Sequence, residues 1–167
     1  YQPDAQLIID SLWPADILKG YDHITIVPDG PLSLISFDAL TSTVLQPGKA
    51  SWAHCGDSRI YHFRGENLVF RSTDHSYVGQ LVVQGRITPA QALVHPNRNI
   101  LLTSLGGAEA PKIAFGETDG LQAGDTFLLC SDGLWGYFTD QELAWVISGS
   151  SSAREASELL IGRARSM

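Results

Sequence analysis

The stretch Gly124-Asp125-Thr126-Phe127-Leu128-Leu129-Cys130-Ser131-Asp132-Gly133-Leu134-Trp135 decides how the rest of the chain is read. Thr126 to Cys130 is an apolar run of strand length and Ser131-Asp132-Gly133 is turn chemistry, so a buried strand is expected to stop at an acidic residue beside glycine. Ala50 to Cys55 is a second strand-like run, and it ends in the same way at Gly56-Asp57-Ser58. Asp57 and Asp132 thus share a setting: a carboxylate on rigid backbone at a sheet rim, with a glycine that leaves room for an ion or phosphate. Hard cations such as Mg²⁺ and Mn²⁺ take Asp and water oxygens, acidify bound water and polarise phosphoryl oxygens. On spacing alone, two turn aspartates is the simpler reading.

Working outward, Arg59 to Phe63 follows Gly56-Asp57-Ser58, and Gly65-Glu66-Asn67 turns the chain into Leu68 to Arg71. The alternation predicts a β-meander with one face on a core. Val78, Leu81 and Val82 have helical spacing, with Gly85 at the position after the C-cap. Thr88 with Pro89 and Gln91, Thr139 with Glu142, and Ser152 with Glu155 read as three capping boxes. The last two open segments carrying Leu143, Val146 and Ile147, then Ala156, Leu159 and Leu160. Upstream, Asp4 caps a short helix, Ile24 to Val27 reads as a strand, and Leu32 to Leu40 is open between strand and helix. Gln46-Pro47-Gly48 is the clearest punctuation in the chain.

The 167 residues match about one domain, and 44% hydrophobic with 17% charged residues excludes a disordered, collagenous or coiled-coil chain. No apolar run reaches the roughly 18 residues of a membrane span, and Tyr1-Gln2-Pro3-Asp4 has no leader character, so neither membrane nor secretion is expected. The net charge of −7, without a Lys/Arg stripe, argues against nucleic acid as a partner. Cys55 and Cys130 are expected as buried free thiols of a cytoplasmic protein. Trp52, Trp135 and Trp145 are expected in the core, because tryptophan buries a large area.

The blocks Trp52-Ala53-His54-Cys55-Gly56-Asp57-Ser58-Arg59-Ile60-Tyr61, Thr73-Asp74-His75-Ser76, Gly85-Arg86-Ile87-Thr88, His95-Pro96-Asn97-Arg98-Asn99 and Ser104-Leu105-Gly106 precede the opening stretch. Together, and in this order, they resemble the bacterial branch of the PPM/PP2C family of metal-dependent serine/threonine protein phosphatases. The resemblance implies an α/β fold: a partial PP2C-like β-sandwich of two mostly antiparallel sheets flanked by helices. It also implies a binuclear Mn²⁺ or Mg²⁺ centre whose bridging water attacks the phosphate. Asp132 maps to a ligand of that centre, and Asp57 to a ligand of an accessory third metal. Asp74, His75 and Ser76 match a motif that anchors the segment before the following helix, with His75 structural, and Arg59 is expected in ion pairs within the fold.

The family's phosphate-gripping Arg, its early Glu, its Ala-Asp-Gly-Met-Gly-Gly block and its late Asp-Asn pair have no counterpart in the sequence. The sandwich is therefore expected to lack its N-terminal strands and its last C-terminal strand. Asp29-Gly30 is a poor substitute, since Pro31 follows it. Residues 1–42, with Ile24-Thr25-Ile26-Val27-Pro28-Asp29-Gly30-Pro31-Leu32 and Ile35-Ser36-Phe37-Asp38-Ala39-Leu40, resemble a segment of a CHAT, caspase-like, domain or are otherwise foreign; residues 43–167 form the partial phosphatase domain. The expected function is hydrolysis of phosphoserine and phosphothreonine esters on proteins, in an incomplete, weakly active or inactive form, with a cognate Ser/Thr kinase as a further partner. The alternatives are a non-catalytic pseudophosphatase module and a CHAT-type regulatory fragment.

Overall fold

The computed structural model describes residues 40–105 and 110–166. The expectations for Asp4, Ile24 to Val27, Asp29-Gly30 and the CHAT-like blocks lie outside the described residues, apart from Leu40. In chain order the elements are β1 (Leu40–Gln46), β2 (Lys49–Cys55), β3 (Arg59–Arg64), β4 (Asn67–Arg71), α1 (Tyr77–Val83), α2 (Pro89–Leu93), β5 (Ala114–Asp119), β6 (Asp125–Cys130), α3 (Asp132–Trp135), α4 (Asp140–Gly149) and α5 (Ala153–Ser166). The strands form two antiparallel sheets, ordered β1-β2-β5 and β4-β3-β6.

The expected meander is corrected at one joint. β2 and β3 do not pair, because β2 lies between β1 and β5 while β3 lies between β4 and β6. Gly56-Asp57-Ser58 is therefore a crossing between sheets rather than a hairpin turn. Gly56, at φ +99°, takes a backbone conformation that a side chain would strain. The crossing carries Asp57 to the rim between the two sheets. The remaining hairpins are local: Pro47-Gly48 joins β1 to β2 with Gly48 at φ +76°, and β3 turns into β4 through Gly65 at φ +57°.

Two strands have no counterpart among the sequence expectations. β1 runs across the expected division between residues 42 and 43 and pairs with β2 along its whole length, Leu40 opposite Cys55 and Gln46 opposite Lys49. β5 contains Gly116, which reads as a breaker, yet it pairs opposite Trp52. A Cβ on Gly116 would lie 2.1 Å from Trp52 Cζ2, so the indole occupies the space a side chain would need. The same indole stacks on Phe70 of β4 with ring centroids 4.9 Å apart, which ties one sheet to the other.

The opposite face of the β4-β3-β6 sheet is covered by helices. Tyr61, Phe63 and Cys130 pack there with Leu134 and Phe138 and with Leu143, Ala144, Val146 and Leu160 of α4 and α5. Thr126 to Leu129 are half-buried rather than buried, because β6 is an edge strand. The capping boxes at Thr88–Gln91 and Thr139–Glu142 are complete. The third is not: Ser152 caps Glu155 N–H, but the Glu155 carboxylate accepts instead from Ser151 N at 2.7 Å and Ser151 Oγ at 2.6 Å. Trp145 also departs from expectation, since it lies on the solvent side of α4 and is 56% exposed. Trp52 and Trp135 are half-buried, and Cys55 and Cys130 are buried and not joined in a disulfide.

Candidate metal centre

β6 ends at Cys130, Ser131 is the N-cap of α3, and Asp132 is the first residue of that one-turn helix. Asp132 is solvent-exposed, whereas Asp57 on the inter-sheet crossing is half-buried. The sheet brings their strands side by side, with Arg59 of β3 opposite Cys130 of β6. Burial first, and then the Asp132 charge, hold the Asp57 carboxyl above its ordinary range. The Asp132 charge thus lies near enough to act on Asp57.

The surroundings of Asp57 are held by its backbone. Gly56 O accepts a hydrogen bond from His75 N at 2.8 Å, and Asp57 O accepts one from Trp135 Nε1 at 3.0 Å. Arg59 donates through Nε and Nη2 to the two oxygens of Asp74, each at 2.7 Å, and through Nη1 to Tyr61 Oη at 3.3 Å. Burial works against the Arg59 charge, but the Asp74 bonds outweigh it and hold the guanidinium above its ordinary pKa. The same guanidinium lies over the Trp135 ring, 3.5 Å from its centroid. Arg59 is therefore committed to the fold, as expected.

Asp74, His75 and Ser76 also behave as an anchor. Ser76 caps α1 by accepting from Gly79 N at 3.0 Å, and Ser76 pairs with Leu101 as an isolated bridge. His75 stacks obliquely on buried His54 with ring centroids 4.5 Å apart. Burial, then the neighbouring His75, lowers the pKa of His54 to about 4, and burial lowers that of His75. Two neutral imidazoles fill this corner near pH 7, which suits a structural role for His75.

A half-buried carboxylate repelled by a second one is a donor set that a divalent cation relieves. Among the described residues no group of three or more His, Cys, Asp or Glu side chains is placed to hold a metal. Mg²⁺ commonly keeps several waters and takes one or two carboxylates, so Asp57 and Asp132 fit one hard ion but not a two-ion centre. The sequence reading did not anticipate the part of Trp135 in this geometry. Its one signal was proximity, three residues after Asp132 at the far end of the same helical turn.

Known bacterial phosphatases are similar to this chain. The protein phosphatase PhpP of Streptococcus pneumoniae is 36% identical over 113 residues, 68% of this chain and 46% of PhpP. The serine/threonine phosphatase Stp1 of Staphylococcus aureus superposes with a TM-score of 0.71 at 28% identity, over 77% of this chain and 50% of Stp1. The chain belongs to the bacterial PPM/PP2C family. The catalytic domain of PstP, solved in complex with two manganese ions, is 31% identical with a TM-score of 0.61, over 75% of this chain and 51% of that domain. No protein-family model matches. This PPM/PP2C chain spans about half the length of PhpP, and its two antiparallel sheets with flanking helices are a partial PP2C-like fold. No helix among the described residues is long and apolar enough to cross a membrane.

Proposed function

We propose that this chain is part of a metal-dependent protein serine/threonine phosphatase, and that its 167 residues alone are a weakly active form of it. The observation that carries this reading is the Asp132 charge acting on half-buried Asp57, which raises the cost of charging Asp57. Asp57 and Asp132 would hold one Mn²⁺ or Mg²⁺ ion. When bound, such an ion supplies an acidified water and neutralises developing charge on a phosphoryl oxygen. The chain's own residues shape that site. The Gly56 and Asp57 carbonyls are pinned, which fixes the backbone that carries the Asp57 side chain. Arg59, spent on Asp74, is not available to grip a phosphate. His75, neutral near pH 7, serves packing rather than proton donation.

The substrates of this reading are phosphoserine and phosphothreonine proteins, with a cognate Ser/Thr kinase as the source of the phosphate and a cytoplasmic setting. A second reading, the non-catalytic module, is favoured by one observation: the described residues offer two carboxylates where a two-ion centre needs more. Phosphate release from a phosphothreonine peptide, with PhpP measured alongside, separates the two. The phosphatase reading expects slow turnover that requires Mn²⁺ and disappears in Asp132→Ala. Turnover that persists without metal or in Asp132→Ala overturns it. Mn²⁺ binding with no turnover at all marks the binding module.

A further inference from the structure

Two successive carbonyls at the crossing between the sheets are held from different elements. Gly56 O is held by the His75 amide at 2.8 Å, and Asp57 O by the indole N–H of Trp135 at 3.0 Å. Trp135 closes the one-turn helix that Asp132 opens. The group that grips Asp57 therefore stands within one turn of the second carboxylate. The indole is in turn held by the Arg59 guanidinium, 3.5 Å from its centroid, and Arg59 is fixed on Asp74 by two bonds of 2.7 Å. The Asp74 segment has no slack: a Cβ on Gly79 would lie 2.5 Å from Asp74 O. The chain of contacts runs from Asp74 through Arg59 and Trp135 to Asp57, and along α3 from Trp135 to Asp132.

We propose that Trp135 is a positioning residue for the cation site: its indole N–H sets the spacing between Asp57 and Asp132, and Arg59 keeps the ring in register. The inference rests on the reading of those two carboxylates as cation ligands. A tryptophan present only to fill space would pack its rings and leave its N–H to water. Here the ring edge donates instead to the peptide that carries Asp57. Partners that orient ligands in this way change metal affinity without touching the metal, typically by 10–100-fold.

The test compares the full chain with Trp135→Phe, which keeps an aromatic face under Arg59 and removes only the donor. Mn²⁺ affinity is read from the electron paramagnetic resonance signal of free Mn²⁺, and fold integrity from thermal unfolding in EDTA. Asp57→Asn and Asp132→Asn serve as ligand controls. The expected result is Mn²⁺ affinity lowered about tenfold in Trp135→Phe with the metal-free unfolding midpoint nearly unchanged. Equal affinity in wild type and Trp135→Phe overturns the positioning role and leaves the cation site standing. Loss of affinity with a clearly lowered metal-free midpoint overturns it too, since the ring then acts through packing. A wild-type chain that binds no Mn²⁺, like the two Asn controls, overturns the cation site and the inference with it.

Discussion

Arg59 and Asp74 meet end-on as a two-pronged ion pair, both bonds at 2.7 Å and both side chains largely shielded from water. The pair joins β3 to the segment before α1, and the stacked Trp135 ring makes it a three-member cluster. A lysine at position 59 keeps the charge but loses the planar fork and most of the stacking. Arg59→Lys is expected to cost about 1–3 kcal/mol in urea unfolding. Asp74→Asn added to it is expected to cost less than it does alone, because the two side chains serve one interaction. Strict additivity would show that they do not.

His54 predicts a pH dependence. Its folded-state pKa of about 4 lies below the ordinary 6.5, because charging a buried imidazole beside His75 is unfavourable. Between those values the unfolded chain binds more protons, so stability rises with pH across the window and falls as the pH drops from 6.5 towards 4. The swing from this one group is on the order of 3 kcal/mol. His54→Gln is expected to flatten the profile over that window, as read by denaturant midpoints at several pH values. An unchanged slope contradicts the assignment.

The carboxylate pair predicts a trade between stability and binding. Asp57 has a raised pKa in the folded state, so its ionisation costs folding free energy, and stability from this group falls as pH rises through that raised value. Removing the Asp132 charge relieves part of the cost. Asp132→Asn is expected to be more stable than wild type at pH 7 in EDTA, by on the order of 0.5 kcal/mol. Added Mn²⁺ is expected to reverse that order by stabilising wild type alone. Differential scanning calorimetry with and without Mn²⁺ reads both effects.

Gly116 predicts a packing failure. Its absent side chain is the seat of the Trp52 ring, which spans to Phe70 in the other sheet. Gly116→Val is expected to displace the indole and cost about 1–3 kcal/mol. Near-ultraviolet circular dichroism of the Trp52–Phe70 stack is expected to weaken with it. A spectrum like that of wild type would contradict the seating.

Local chemistry made much of this fold legible. Thr88 and Thr139 with their downstream Gln91 and Glu142 announce helix starts, and both boxes form. Glu155 shows the limit of such patterns, since Ser151 competes with Ser152 for the same carboxylate. Pairing across the fold was harder to read. The tripeptide Gly56-Asp57-Ser58 looks the same whether it closes a hairpin or crosses between sheets, and only the partners of β2 and β3 distinguish the two. Gly116 hides a strand because its partner Trp52 is distant in sequence. The same division holds at the site. Asp57 and Asp132 stand out because each ends a strand beside glycine, whereas the Trp135 bond to Asp57 spans 78 residues and leaves no local mark.

The account stands on a cation shared by two side chains, and a Mn²⁺ titration of the 167-residue chain by isothermal calorimetry tests it most directly. It predicts one Mn²⁺ per chain, with binding lost in both Asp132→Asn and Asp57→Asn. No Mn²⁺ uptake, or uptake that both variants leave unchanged, would contradict it.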